Sequence, residues 1–247
     1  MTNQFVKSIE LKRDLIGSFD EYPFCLPAIK RLDSLELHPK VTYIVGENGT
    51  GKSTILESVA TAFGFNPEGG SRNFLFSTTD SHSGLYNYIR LVKGVKRPRD
   101  GFFLRAESYY NVASYIDAID LEQSFGPPIK AAFGGKSLHE QSHGESFFAL
   151  FQKRLRGNGL YILDEPEAAL SPTRQMSFIT RMHDLIGKGS QFIIATHSPI
   201  IMAYPDSYIY EIGDDIRKVR YEETEHYLIM KTFINNKDKM LKELIQP

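Results

Sequence analysis

Gly46-Glu47-Asn48-Gly49-Thr50-Gly51-Lys52-Ser53-Thr54 fits the pattern G-x-x-x-x-G-K-[ST] of a phosphate-binding loop. Its surroundings agree with that reading. Val41, Tyr43, Ile44 and Val45 form an apolar run that predicts a buried strand entering the loop, and Ile55 to Phe63 predicts a helix leaving it. The glycines let the backbone curl so that its N–H groups turn inward, and the helix N-terminus adds partial positive charge. A polyphosphate would thus meet the backbone of Gly46, Glu47, Asn48, Gly49, Thr50, Gly51, Lys52, Ser53 and Thr54. Lys52 is expected to reach the terminal phosphates, and the Ser53 hydroxyl to ligate Mg²⁺.

Working outward, the chain has 247 residues, 41% of them hydrophobic, enough for a sizeable core. A formal net charge of −1 singles out no partner. Cys25 is the one cysteine, so no internal disulfide can form, and a reducing compartment is expected. The N-terminal residues lack the apolar run of a signal peptide. The most apolar segment, Gln191 to Tyr204, is interrupted by Thr196, His197, Ser198 and Pro199. The expectation is a soluble, cytoplasmic protein without direct membrane insertion.

Upstream of the loop, short apolar runs around Phe24, Leu26 and Ile29, then Leu32, Leu35 and Leu37, punctuated by Pro23 and Pro27, predict small antiparallel strands. Phe102-Phe103-Leu104-Arg105 predicts a strand. Tyr109 to Ser124 and Glu145 to Arg156 predict helices, as does Thr173 to Ile186. Leu160 to Leu163 and Gln191 to Thr196 predict buried strands. Ser207 to Ile212 with Arg217 to Arg220 predicts a hairpin, and a helix is expected from Glu225 onward. Strands alternating with helices imply an α/β fold with a mostly parallel core sheet.

Leu160-Tyr161-Ile162-Leu163-Asp164-Glu165-Pro166 is the second chemical motif. An apolar strand ending in a carboxylate brings Asp164 to the C-terminal edge of the sheet, beside the phosphate loop, where it can hold Mg²⁺. Glu165 follows directly and can orient or deprotonate a water. The alternative for the pair is a helix N-cap.

The long gap from Lys52 to Asp164 exceeds that of ring-forming AAA+ modules, and its contents resemble the ABC-type P-loop ATPase superfamily. That family carries a Leu-Ser-Gly-Gly-Gln signature at a helix N-terminus shortly before the Walker B strand. Gln141-Ser142-His143-Gly144-Glu145 stands in that place: Ser142 and Gly144 match, while Gln141, His143 and Glu145 depart. Ser142 with Glu145 also reads as a capping box. Glu165 to Ser171 resembles the D-loop, with Ser171 where aspartate is usual. Ala195-Thr196-His197-Ser198-Pro199 resembles the switch-histidine motif, with His197 placed to sense the γ-phosphate. Glu107 occupies the region of the family's glutamine loop and could ligate Mg²⁺, or be a surface glutamate.

The resemblance runs from about residue 5 to 212. Within the superfamily it looks closest to small bacterial AAA/ABC-like ATPases that are similar to the heads of DNA-repair and chromosome-maintenance ATPases. It implies a single P-loop NTPase domain over 1–247: a β subdomain and P-loop in 1–65, an insertion or helical region bearing the signature in 66–145, and Walker B, switch histidine and C-terminal region in 146–247. It further implies ATP and Mg²⁺ as ligands, Lys52, Glu165 and His197 as catalytic groups, Ser53, Asp164 and Glu107 as metal ligands, and Ser142 and Gly144 as nucleotide contacts made in trans within a nucleotide-dependent homodimer. ATP is favoured over GTP by the same resemblance, and Tyr22 or Phe24 could stack on adenine.

Three other outputs fit the same engine. One is the ATP-binding subunit of a transporter. Another is a nucleotide-gated scaffold with little turnover. The third is a nucleic-acid or defence complex, for which Arg72 to Arg105 supplies seven basic residues against two acidic ones, interleaved with Phe74, Phe76, Tyr86, Tyr88, Phe102 and Phe103. The competing reading of that stretch is a β-rich insertion whose aromatics belong to the core.

Overall fold

The computed structural model describes residues 4–70, 83–105 and 151–245. The predicted helix over Tyr109 to Ser124, the first half of that over Glu145 to Arg156, and Glu107, Ser142, Gly144, Phe74 and Phe76 lie outside the described residues. Two sheets organise the rest. The larger has six strands in the order β5-β6-β7-β3-β8-β9. Its members are β3 (Val41–Gly46), β5 (Asp100–Arg105), β6 (Gly159–Asp164), β7 (Gln191–Ala195), β8 (Tyr208–Ile212) and β9 (Ile216–Val219). Every neighbouring pair is parallel except β8 with β9, the antiparallel hairpin the sequence predicts. The smaller sheet is antiparallel, in the order β2-β1-β4, from β1 (Val6–Leu11), β2 (Ser34–Glu36) and β4 (Ile89–Lys93).

Alternation along each central strand divides the core in two. Val41, Tyr43 and Val45, with Tyr161, Leu163, Phe192 and Ile194, meet Phe178, Met182 and Leu185 on one face of the large sheet. Those three residues are the apolar stripe of α3 (Pro172–Gly187), spaced four and three apart as a helix requires. Phe151 stacks on Phe178 at 4.1 Å between ring centroids, closing that side. Ile44, Leu160, Ile162, Ile193 and Ala195 face the other way, toward α2 (Lys52–Phe63) and the small sheet. The parallel strands are buried on both faces, which is why they read as unbroken apolar runs.

One polar side chain ties the two sheets together. Gln191, fully buried at the start of β7, accepts from the backbone N–H groups of Phe5 (2.9 Å) and Val6 (3.0 Å). Its amide donates to the carbonyls of Val6 (2.8 Å) and His38 (3.1 Å). All four hydrogen-bonding positions of a buried amide are therefore filled.

Two local expectations change, and one of two open readings gains support. The run around Leu26 and Ile29 forms a short helix, α1 (Pro27–Arg31), with Pro27 in its first turn where a missing N–H is harmless. Beyond the short α4 (Pro199–Met202), the C-terminal helix is two helices, α5 (Glu225–Asn235) and α6 (Lys237–Ile245), broken at Asn236. The basic, aromatic stretch is largely built into the fold in its described part. Phe102 and Phe103 are fully buried, Arg90 pairs with Glu10, Arg105 pairs with Glu57 at 2.9 Å, and Lys93 lies over the Phe63 ring. Among the described residues no helix is long and apolar enough to cross a membrane.

Candidate functional site

β3 delivers the chain to the loop and α2 carries it away, so the glycine-rich turn sits at the C-terminal edge of the parallel sheet. Gly46 has to be glycine on two grounds. Its φ is +143°, and a Cβ there would stand 2.4 Å from the Ile212 carbonyl oxygen of the adjoining β8. Gly51, at φ +101°, turns the backbone into the first residue of α2.

Lys52 is 4% exposed. Its ammonium donates to the carbonyls of Gly46 (2.8 Å) and Glu47 (2.7 Å), folding back over the loop. Burial lowers its pKa, while the carboxylates of Glu165, Asp164, Glu167 and Glu47 act to raise it. A cation held among four acids at a nest of amides is suited to a ligand that carries several negative charges. A pocket opens on this spot, lined by Tyr22, Leu26, Asn48, Gly51, Ser53 and Glu165 among others. Tyr22 is 65% exposed at its rim, whereas Phe24 is packed edge-on against Phe19 and Tyr88. Of the two aromatics named for adenine, the geometry favours Tyr22.

β6 places Asp164, 5% exposed, opposite the start of α2. The Ser53 hydroxyl donates to Asp164 Oδ1 at 3.1 Å. These two hard oxygen donors suit Mg²⁺, which takes one or two protein ligands and completes its shell with phosphate and water. Among the described residues no group of three or more His, Cys, Asp or Glu side chains forms a cage.

Glu165 has a left-handed backbone, φ +50°, and its N–H donates to the Ala195 carbonyl at 2.9 Å. The bend turns its side chain out of the β6 direction, half-exposed, to line the phosphate pocket. It does not act as a helix cap: no side-chain capping bond forms at the 3-10 turn Pro166–Ala169 that follows. Ser171 does cap, its hydroxyl accepting from the Arg174 N–H at the start of α3. His197 follows β7, and its Nε2 stands 3.4 Å from Glu165 Oε1, an ion-pair distance rather than a formed hydrogen bond. Burial first, then the charge of Lys52, lower the His197 pKa below 6.5; Glu165 opposes them. Both effects favour the neutral ring.

Two contributors escaped the reading of the sequence. Glu167 Oε1 accepts from the His197 backbone N–H, pinning the loop after β7 to the loop after β6, and burial raises its pKa. His226, in the first turn of α5, stands with Nε2 2.9 Å from His197 Nδ1. Glu167 could have been sought within Asp164-Glu165-Pro166-Glu167. His226 has no local motif to betray it.

Comparison with known proteins follows this geometry. A family model described as "AAA domain" matches residues 16–127, and one described as "AAA domain, putative AbiEii toxin, Type IV TA system" matches residues 146–203. Among solved structures, "An inward-facing conformation of a putative metal-chelate type ABC transporter" aligns at TM-score 0.50 and 15% identity, over 92% of this chain and 88% of that one. The ADP conformation of an ATP-binding cassette of an ABC transporter aligns at 0.49 and 17%, over 99% of each chain. The SMC head domain from Thermotoga maritima aligns at 0.43 and 17%, over 87% and 98%. The likeness is one of fold, to P-loop NTPases of the AAA/ABC type, with AAA-domain models matching two separate stretches of the chain.

Proposed function

We propose that this chain binds Mg·ATP at the P-loop, hydrolyses it, and works as a switch in which two copies close on shared nucleotide. The observation that supports this reading is the convergence of Lys52, the Ser53–Asp164 pair, Glu165 and His197 at one edge of the sheet. They come from the ends of three separate strands, and phosphoryl transfer would give each a part. Lys52 and the loop amides neutralise phosphate charge. Glu165 orients the attacking water and accepts its proton. His197, neutral and reaching from the next strand, donates to the γ-phosphate or to the water. Ser53 and Asp164 would hold Mg²⁺, which would supply further neutralisation of phosphate charge.

The test is nucleotide binding and turnover by the full chain. Wild-type protein is expected to bind ATP in the presence of Mg²⁺ and release phosphate. Lys52→Ala should lose binding. Glu165→Gln should retain binding while turnover falls by about 10²- to 10⁴-fold, the contribution typical of a general base. Binding without turnover in the wild type would sink the hydrolytic reading and leave a nucleotide-gated scaffold.

A second surface favours the nucleic-acid role for the switch. At the opposite end of the sheet, Arg99, Arg154, Arg156 and Lys188 line one depression, in which Asp100 is engaged by Arg154 at 2.9 Å. A cationic hollow of this kind suits a phosphate backbone. Binding to duplex or single-stranded DNA that weakens steeply with salt, and weakens again in an Arg99→Ala/Arg156→Ala variant, would support it. Co-purification with a membrane permease would instead favour the transporter role.

A further inference from the structure

Two half-buried imidazoles meet beside Glu165, and their outer nitrogens have no hydrogen-bond partner among the described residues. His197 Nδ1 and His226 Nε2 are 2.9 Å apart, while His197 Nε2 and His226 Nδ1 form no hydrogen bond. A contact of this length between two ring nitrogens holds one proton, so one ring donates and the other accepts. Which one donates follows from what lies beyond. His197 Nε2 faces Glu165 Oε1 at 3.4 Å, and a carboxylate oxygen can only accept. A bare Nε2 there would set lone pair against lone pair. A protonated Nε2 points its hydrogen at the carboxylate and at the place a reacting phosphate or water would occupy. His197 Nδ1 must then be bare, and the shared proton must sit on His226 Nε2. That assignment also settles the far side: His226 Nδ1 becomes an unpaired acceptor, which proteins tolerate better than an unpaired buried N–H.

We infer that His226 is a positioning residue that fixes His197 in the tautomer protonated at Nε2, the nitrogen turned toward Glu165. His226 is well placed for this task, because the start of α5 is fastened to the sheet and to the loop after β7. The Glu225 N–H donates to Glu211 Oε1 of β8 at 2.8 Å, with Glu211 buried. Thr224, fully buried, returns its hydroxyl to the Tyr221 carbonyl at 2.8 Å. The Tyr221 hydroxyl donates to the Pro199 carbonyl, two residues beyond His197, at 3.0 Å. The imidazole is held from both sides of the contact, so the choice of tautomer is made by structure before any ligand arrives. Without His226, the proton on His197 could settle on Nδ1, and the ring would present a lone pair to Glu165 and to phosphate oxygen.

The kinetic consequence rests on the ATPase reading above; the tautomer itself does not. Full-length protein labelled with ¹⁵N-histidine, without nucleotide, is examined at neutral pH by long-range ¹H–¹⁵N correlation, with the His197 signals assigned by their loss in His197→Gln. The expected pattern is His197 protonated at Nε2 and bare at Nδ1. His226→Phe keeps the ring volume and removes the donor, and should shift His197 toward the Nδ1–H form. His226→Gln retains a donating N–H and should keep the wild-type pattern. Turnover should fall by about 10- to 100-fold in His226→Phe with KM little changed, as when an orienting partner of an active-site histidine is lost, and recover in His226→Gln. A wild-type His197 protonated at Nδ1, or an unchanged pattern in His226→Phe, overturns the inference. The expected spectra in a protein that does not hydrolyse ATP would leave the inference standing and remove only the ATPase reading.

Discussion

Tyr22 and Phe24 are two residues apart and face different tasks. Phe24 meets Tyr88 edge-on at 4.9 Å between centroids, and so belongs to the packing of the small sheet. Tyr22 is 65% exposed at the rim of the pocket over the P-loop. A base stacked on such a ring gains about 1–3 kcal/mol. Tyr22→Ala is therefore expected to weaken ATP binding by about that amount in titration calorimetry, with unfolding unchanged, while Phe24→Ala should lower stability and spare affinity. His197 yields a prediction of a different kind. Burial and Lys52 depress its pKa in the folded chain below the ordinary 6.5. The unfolded chain then binds a proton that the folded chain refuses, so this contribution to stability is complete above 6.5 and is lost as pH falls from there through the folded value. Thermal unfolding followed from neutral to mildly acidic pH should show a smaller decline in His197→Gln than in wild type; an equal decline would contradict the assignment. At this scale the motif residues were legible because each lies within a short string with a fixed spacing. His226 was not, since its partner lies 29 residues away and the contact depends on where α5 docks.

Among the elements, β3, β6 and β7 were the plainest in the sequence, because strands buried on both faces are apolar throughout. α1 was not legible as a helix: Pro27 punctuates a short apolar run in either reading, and only packing decides between them. The joint between the two sheets was hidden for another reason. Gln191 opens an apolar strand and looks like an ordinary boundary residue, yet its amide satisfies Phe5, Val6 and His38. Gln191→Leu would fill the space and leave four buried backbone groups without their partner. Each orphaned group costs about 1–3 kcal/mol before relaxation or water entry. The expected result in urea unfolding is a loss of several kcal/mol, large beside the stability of a typical domain. Gln191→Glu should be no better, because an oxygen would replace the donor that faces two carbonyls. A midpoint within experimental error of wild type for either variant would show that β1 does not depend on this joint.

At the scale of the molecule, the two ends of the large sheet carry opposite characters. The C-terminal edge gathers Asp164, Glu165, Glu167 and Glu47 around a single buried ammonium, and the opposite end presents Arg99, Arg154, Arg156 and Lys188. An acid-rich edge repels a bare polyphosphate unless Lys52, the loop amides and a divalent cation outweigh it. In an open pocket these act from one side, because the groups that line it come from the P-loop, the adjoining Tyr22–Leu26 segment and Glu165. A second chain offering a serine hydroxyl and glycine amides at a helix N-terminus would close the exposed side of the phosphates, and Ser142 and Gly144 are the residues that resemble such a cap. Closure should therefore require nucleotide and persist when hydrolysis is blocked. Glu165→Gln protein is expected to have a monomer's mass by light scattering without ligand and to double it on addition of Mg·ATP. Ser142→Arg in the same background should bind ATP and remain monomeric, since a bulky cation at the cap would collide with the partner's loop. ATP binding without any change of mass would exclude nucleotide-driven closure of two copies, and an unaltered shift in the Ser142→Arg protein would place the cap elsewhere in the chain.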